Sequence, residues 1–264
     1  MEIALAVLAG LLIGSFLNVC IFRLPRDLSV ASPARSFCPG CEQTIAWYDN
    51  IPLLSFALLK GQSRCCNQSI PIRYPIVELS TGIAFGVAIA IFGATLVGLK
   101  FCLFAAIMID LIATDFEERI LPDEFTLGGT VLGLVLAWFV MLPPDLASIA
   151  LFLTGMDVSD PVASVIESAL GAAFGSGMLW LVAWTYEKVR HREGMGLGDV
   201  KMMGLIGAFL GLRPALFTFF LAAVVGSVLG ILFIWLAKKE AKSYELPFGS
   251  FLGATALVVG FWLR

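Results

Sequence analysis

The sequence has few charged side chains. Asp, Glu, Lys and Arg make up 14% of its 264 residues, whereas soluble domains contain about a quarter. Hydrophobic residues make up 59%, and the mean hydropathy is +0.93. This balance excludes a soluble globular domain and indicates an integral membrane protein.

Basic runs and nucleotide-binding fingerprints are missing as well. The net charge is only −3, and no cluster of Lys and Arg indicates a nucleic-acid partner. No glycine-rich dinucleotide motif is present, which excludes an ordinary Rossmann site. His191 is the one histidine. It lies in a basic stretch beside an apolar run, and we interpret it as a determinant of topology rather than a catalytic group.

Long apolar runs dominate the chain. They predict an all-α polytopic protein with about eight transmembrane helices. The first run, Ile3 to Phe22, lacks the basic flank of a cleavable signal peptide, so we expect a retained helix. The runs cover residues 3–22, 76–93, 96–114, 124–142, 161–186, 199–212, 214–237 and 246–263.

The polar segment 23–75 divides the chain into three parts. We predict a first transmembrane helix over 1–22, a small cytoplasmic loop domain over 23–75, and a transmembrane bundle over 76–264. With the N-terminus outside, thirteen Lys and Arg residues fall inside and three outside, with Lys201 at the inner edge uncounted. This distribution obeys the positive-inside rule.

Four of the six cysteines lie in the polar segment. Cys38 and Cys41 have the spacing of half a zinc knuckle. The second half is irregular: Cys66 follows Ser63 at the matching spacing, and Cys65 supplies another thiol. We predict a structural Zn²⁺ on Cys38, Cys41, Cys66 and Cys65, which would order a loop too small for its own core. A metal-free loop with reduced thiols or one disulfide is the alternative.

Acidic residues inside apolar runs are costly and indicate a functional site. Asp115 and Asp199 both fall at the predicted cytoplasmic ends of their helices, where two carboxylates sharing one proton could hydrolyse a peptide bond. The alternative is a pair of helix-end acids, with Asp199 as an N-cap and Asp115 as a solvated charge. The helix is predicted to end near Asp115. Asp110 lies five residues earlier, about 140° around the helix, and is a poor partner for Asp115.

Small residues and a cation surround Asp199. Gly196 and Gly198 would leave room for the unwound backbone of a substrate. Lys201 would either hold a positive charge near Asp199 and lower its pKa or extend to the interface.

Taken together, these residues resemble the type IV prepilin peptidases, bifunctional leader peptidases and N-methyltransferases. The resemblance covers nearly the whole chain. The matching motifs are Gly14-Ser15-Phe16-Leu17-Asn18-Val19 with Arg23-Leu24-Pro25, Cys38-Pro39-x-Cys41, Asp49-Asn50-Ile51-Pro52-Leu53-Leu54-Ser55, Ile70-Pro71-x-Arg73-Tyr74-Pro75-x-x-Glu78, Asp115-x6-Pro122-Asp123 and Gly196-Leu197-Gly198-Asp199-Val200-Lys201. The sequence departs from the family at Ser63, where a cysteine is usual.

The resemblance implies a bacterial inner-membrane enzyme whose catalytic pair is Asp115 and Asp199, facing the cytoplasm. It implies cleavage of the basic leader of prepilins and pseudopilins, followed by methylation of the new N-terminal amine with S-adenosylmethionine. We expect the methyl donor to bind between segment 23–75 and the adjacent helix ends. Arg73, Tyr74 and Glu78 are candidates to line this site or, alternatively, to lock the loop against the bundle.

Three rival interpretations remain at this point. The protein could be a peptidase without methyltransferase activity. It could be an ion-coupled transporter that relays protons through Asp110, Asp115 and Asp199. It could also be a non-enzymatic scaffold of a secretion machine. The sequence leaves the oligomeric state open.

Overall fold

A computed structural model describes residues 1–33, 35–143, 145, 149, 151, 153, 158–191, 196–237 and 247–262. Over these residues the protein is helical, and its β-structure consists of two isolated bridges. The helices are α1 (Glu2–Arg23), α2 (Leu54–Leu58), α3 (Arg73–Phe92), α4 (Leu96–Glu118), α5 (Asp123–Phe139), α6 (Asp160–Arg190), α7 (Leu197–Leu210), α8 (Leu212–Ala237) and α9 (Phe248–Trp262). The predicted all-α class is confirmed.

Each of the eight apolar runs coincides with a helix to within a few residues. Five helical segments among the described residues are long and apolar enough to cross a membrane, in α1, α3, α4, α6 and α8. Helices α5, α7 and α9 have 17, 14 and 15 residues, fewer than the roughly 20 that span a bilayer. The protein is therefore a multi-pass membrane protein, while the number of eight spans stays a prediction.

The chain forms two compact units, Met1–Glu118 and Arg119–Arg264. In the first unit, α1 packs closely on α3 through small residues. A Cβ atom on Gly10 would lie 2.7 Å from the Thr81 carbonyl oxygen, and one on Gly14 would lie 2.7 Å from the Glu78 Cα. Glycine is needed at these two positions because the helix backbones nearly touch. Helix α4 packs beside both helices, and the polar segment between α1 and α3 belongs to the same unit.

The second unit is built around the short helix α7. Its residues Met202, Met203, Leu205, Ile206 and Ala208 are fully buried, and α5, α6, α8 and α9 all contact it. A Cβ on Gly207 would lie 2.1 Å from the Gly171 carbonyl oxygen of α6. Most of α7 is therefore covered by other helices, and its 14 residues are fewer than the roughly 20 that span a bilayer. The two units are defined by contacts within the chain. The three predicted parts, 1–22, 23–75 and 76–264, are functional divisions and stay a prediction.

Candidate functional site

Asp115 lies in the last turn of α4 and is 7% exposed. The helix was predicted to end near Asp115, and α4 ends three residues later, at Glu118. Two cations of the first unit pair with acids of this last turn: Arg73 pairs with Glu117, and Arg26 pairs with Glu118 at 2.5 Å. The burial of Asp115 also contradicts the alternative of a solvated helix-end charge.

Asp199 lies in the first turn of α7 and is 9% exposed. The N-cap of this helix is Gly196, so the alternative in which Asp199 caps the helix is wrong. A carboxylate three residues after the N-cap lies among the free N–H groups of the first turn, where the helix dipole favours negative charge. A Cβ atom on Gly196 would have one neighbour within 4 Å among the described residues, the Gly198 backbone nitrogen at 3.9 Å, so none of the described side chains fills the space beside this glycine.

Two contacts fix the start of α7 against the start of α5. A Cβ on Gly198 would lie 3.0 Å from the Leu121 Cβ, so the glycine admits the chain that leads into α5. The Lys201 Nζ lies 2.6 Å from the Asp123 carboxylate. Lys201 therefore has Asp123 as its ion-pair partner. These contacts join the segment that follows Asp115 to the segment that carries Asp199.

Asp115 belongs to the first unit and Asp199 to the second, and each is a buried acid at the end of an apolar helix. That their carboxylates form one dyad stays a prediction. Asp110 is fully buried in α4, where the Thr114 hydroxyl donates to its backbone carbonyl at 2.8 Å.

The face of α4 opposite Asp115 carries a second set of polar residues. Asp115 and Glu117 are two residues apart, about 200° around the helix, so their side chains point in opposite directions. Asp110, Thr114 and Glu117 instead follow one stripe, spaced by four and three residues. No specific partner of Glu117 was predicted from the sequence, because Arg73 lies 44 residues away along the chain.

A cavity of about 660 Å³ lies within the first unit, between the polar segment and the ends of α1, α3 and α4. This volume is in the range of small-molecule sites. Its wall combines aromatic rings with ionisable and amide side chains. The polar residues include Asn18, Asp49, Arg64, Arg73, Glu78 and Glu117, and the rings include Phe22, Tyr48 and Tyr74.

The three predicted methyl-donor residues lie together in this wall and also hold the loop. The Glu78 carboxylate accepts a hydrogen bond from the Leu53 backbone N–H at 2.8 Å. The Tyr74 carbonyl accepts one from the Asn18 amide at 3.1 Å, and the Arg73 guanidinium lies 4.9 Å from the Tyr74 ring centroid. Lining the cavity and locking the loop are thus compatible roles. Asn18 lies in one of the sequence motifs but was not predicted to belong to the site, because its partner Tyr74 is 56 residues away.

The four cysteines come together on two loops with the same backbone pattern. We call residues 37–44 the first knuckle and residues 62–69 the second knuckle. In the first knuckle, Cys38 N–H donates to Gln43 and Cys38 accepts from Glu42. In the second knuckle, Ser63 N–H donates to Gln68 and Ser63 accepts from Asn67 in the same way. Ser63 therefore occupies the position that Cys38 has in the first knuckle.

Cys65 supplies the fourth thiol, which a cysteine at position 63 would otherwise provide. The Sγ atoms of Cys38, Cys41, Cys65 and Cys66 all lie within 4.8 Å of one another. A tetrahedral site with Zn–S bonds of about 2.3 Å would place its sulfurs about 3.8 Å apart. The Cys38–Cys66 and Cys41–Cys65 separations are 3.6 and 3.1 Å, so the four thiols fit a zinc ion with small side-chain shifts.

Hydrogen bonding within the cluster separates the acidities of its thiols. Burial opposes ionisation of Cys38, but the backbone N–H of Gly40 and bonds from Cys65 and Cys66 lower its pKa to about 6. A hydrogen bond with Cys65 raises the pKa of Cys41 to about 12. A thiolate at neutral pH is the form that binds metal.

An ion pair joins the second knuckle to the Asp49-Asn50-Ile51-Pro52 segment. The Arg64 Nε and Nη2 atoms donate to the two Asp49 carboxylate oxygens at 2.9 and 2.8 Å. This two-pronged hydrogen bonding and the charge of Arg64 hold the pKa of Asp49 below its usual range. Both residues line the cavity, so the cysteine cluster and the cavity wall are mechanically connected.

Comparison with known proteins gives matches over most of the chain. The Bacterial Peptidase A24 N-terminal domain matches residues 8–92, and the Type IV leader peptidase family matches residues 102–231. The protein named prepilin leader peptidase/N-methyltransferase from Myxococcus xanthus is 36% identical over 236 residues, which are 89% of this chain and 64% of the relative. No solved structure matches.

Two further relatives carry the same name. The Xanthomonas campestris protein is 32% identical over 278 aligned positions, covering 96% of this chain and 88% of the relative. The Klebsiella pneumoniae protein is 36% identical over 222 positions, covering 82% of this chain and 88% of the relative. The chain thus spans slightly less than two thirds of the Myxococcus relative and most of the other two.

Proposed function

Because the chain belongs to the type IV leader peptidase family, we propose that it cleaves the leader of prepilins and pseudopilins and methylates the new N-terminal amine. The burial of Asp115 and Asp199 at the ends of apolar helices carries the peptidase proposal. The cleavage site lies at the cytoplasmic face of the bacterial inner membrane, where a basic leader meets an apolar helix. Family membership does not favour the transporter, the scaffold or the peptidase without methyltransferase activity.

Asp115 and Asp199 act as an aspartyl pair. One ionised carboxylate takes a proton from water, whose oxygen attacks the scissile carbonyl carbon. The other carboxyl, kept protonated because two adjacent negative charges are unfavourable, donates to the carbonyl oxygen. The C–N bond then breaks and the amine leaves with a proton. Gly196 supports this role because none of the described side chains fills the space beside it, which leaves room there for an unwound substrate backbone.

Lys201 and Asp123 act as positioning residues. Their ion pair ties the start of α7, which carries Asp199, to the first turn of α5. Gly198 contributes by letting Leu121 approach closely. None of these three residues needs to contact the substrate.

Methyl transfer uses the cavity of the first unit. S-adenosylmethionine supplies a methyl group on a sulfonium; the amine lone pair forms the N–CH3 bond while the S–CH3 electrons return to sulfur. The amine must be neutral for this step, so it first loses a proton. The opposite directions of Asp115 and Glu117 on α4 support a sequence in which the cleaved end leaves the aspartates and passes to the cavity.

Cys38, Cys41, Cys65 and Cys66 hold a structural Zn²⁺. The ion would join the two knuckles and so fix the segment that forms one wall of the cavity. It has no assigned part in hydrolysis by Asp115 and Asp199.

The test is incubation of the purified protein with a prepilin and labelled S-adenosylmethionine. Loss of the leader together with label on the mature N-terminus is expected. Loss of the leader without label would support a peptidase alone, and an intact prepilin would refute the proposal.

A further inference from the structure

Three side chains form a polar group in the cavity wall of the first unit: Asn18, Arg73 and Glu117. Arg73 forms an ion pair with Glu117. Asn18 donates to the carbonyl of Tyr74, the neighbour of Arg73. The group therefore lies together where α1, α3 and α4 end, and hydrolysis as proposed above does not use it.

Asn18 is 1% exposed, and its orientation is fixed. The side-chain amide donates to the Gly14 carbonyl at 3.3 Å and to the Tyr74 carbonyl at 3.1 Å. Its Oδ1 atom is buried and has no hydrogen-bond partner in the part of the chain that the structure describes. A buried acceptor without a donor is unfavourable, and a bound ligand can supply the missing donor.

Arg73 has a complementary unused donor. Its Nη1 atom pairs with Glu117, and its guanidinium lies beside the Tyr74 ring. Its Nε atom is buried without a partner among the described residues. A guanidinium that pairs with Glu117 through Nη1 can donate a hydrogen bond from its free Nε to a second carboxylate.

A free acceptor, a free cationic donor and a carboxylate in one place complement a zwitterion. We infer that Asn18, Arg73 and Glu117 bind the α-amino-acid group of the methyl donor. The ammonium of that group donates to the Asn18 Oδ1 and the Glu117 carboxylate, and its carboxylate accepts from the Arg73 Nε. This inference rests on the proposed methyltransferase function and names the part of the donor that gives it affinity.

Two stable analogues of the methyl donor separate the contribution of the α-amino-acid group from that of the adenosine and sulfur. S-adenosylhomocysteine keeps the α-amino-acid group, whereas methylthioadenosine lacks it and keeps the adenosine and sulfur. The purified full-length protein in detergent should bind S-adenosylhomocysteine at least about tenfold more tightly, which corresponds to about 1.4 kcal/mol. Equilibrium dialysis measures both constants. Equal affinities would overturn the inference without any variant.

Arg73→Lys is the sharpest variant. Lysine keeps a positive charge beside Glu117 but has no N–H group at the position of the arginine Nε, so the preference for S-adenosylhomocysteine should fall to about twofold or less. Arg26→Lys is the matched control, because the Arg26 Nη1 and Nη2 atoms already donate to the Phe22 carbonyl and to the Glu118 carboxylate. It should keep the preference of the wild type. A wild-type preference in Arg73→Lys, or equal losses in both variants, would contradict the assignment.

The outcomes separate this inference from the function on which it rests. A wild-type protein that methylates a pilin but binds both analogues equally overturns the inference alone. A wild-type protein that transfers no methyl group and binds neither analogue overturns both. A shared thermal midpoint for the wild type and the two variants shows that the comparison is made between folded proteins.

Discussion

Cys65→Ser should remove tight zinc binding from the two knuckles. Ser63 occupies the backbone position of a knuckle cysteine, but its hydroxyl is a weaker zinc ligand than a thiolate and lies 3.2 Å from the Cys66 sulfur. Cys65 is the additional thiol, with its sulfur 3.1 Å from Cys41 and 4.0 Å from Cys66. With serine at position 65, three thiolates remain.

The expected loss of zinc affinity follows from the positions of the four sulfur atoms. The Cys65 sulfur lies 3.1 Å from that of Cys41 and 4.0 Å from that of Cys66, distances that bracket the roughly 3.8 Å of a tetrahedral zinc site. All four sulfurs lie within 4.8 Å of one another, so Cys65 is placed to be the fourth ligand. Loss of an outer-shell partner lowers metal affinity 10- to 100-fold as an order of magnitude. Loss of a direct ligand should cost at least about 100-fold, or about 2.8 kcal/mol.

Competition with a chromophoric zinc chelator measures this affinity on the purified protein. Ser63→Ala is the matched control and should bind zinc like the wild type. The double variant Ser63→Cys with Cys65→Ser restores the regular spacing and should recover tight binding. An affinity of Cys65→Ser within threefold of the wild type would refute the assignment of Cys65. A loss in Ser63→Ala as large as in Cys65→Ser would contradict the assignment of Cys65 as the ligand that replaces Ser63.

Three further predictions concern contacts outside the cluster. Ser164→Ala should destabilise the protein by about 1–3 kcal/mol in denaturant titration, because the hydroxyl of Ser164 donates to one buried carbonyl and accepts from one buried N–H. Asp49→Asn should lower the thermal midpoint at neutral pH, and this deficit should vanish as pH falls through the lowered pKa of Asp49, where Arg64 loses its partner in the wild type. Asp123→Lys should slow leader cleavage about two- to fivefold, and addition of Lys201→Asp should recover it.

A specific result would contradict each of these three predictions. Ser176, on the same helix as Ser164, bonds only to carbonyls of its own helix, and an equal effect of Ser176→Ala would remove the specific role of Ser164. A deficit of Asp49→Asn that does not change with pH would contradict the ion pair as its cause. Failure of the charge reversal to recover any rate would show that Asp123 acts other than through Lys201.

The helices were predictable because apolar runs and helices coincide in a membrane protein. Residues 96–114 and 199–212 mark α4 and α7 within four residues at each end. The differences fall at polar helix ends. Helix α4 ends three residues beyond Asp115, and in this last turn Glu117 and Glu118 have partners 44 and 92 residues away; such distant pairing leaves no local pattern.

The sequence indicated candidate site residues, but it did not indicate most of the contacts that these residues make. The acids and cysteines were identified from their cost in a membrane and from their spacing. Asn18 and the partner of Lys201 were missed, since a single amide in an apolar run and a single surface acid have many ordinary explanations. The equivalence of Ser63 and Cys38 was indicated by spacing, but the hydrogen-bond pattern shared by the two knuckles is visible only in the folded chain.

Leader cleavage by Asp115→Asn and Asp199→Asn tests the proposed dyad most directly. Asparagine keeps the shape of each side chain and removes the acid, and Asp110→Asn is the control for a buried acid of the same helix that lies outside the pair. With a purified prepilin, each dyad variant should lose cleavage by several orders of magnitude, while Asp110→Asn should retain it. Processing at the wild-type rate by either dyad variant would contradict the assignment.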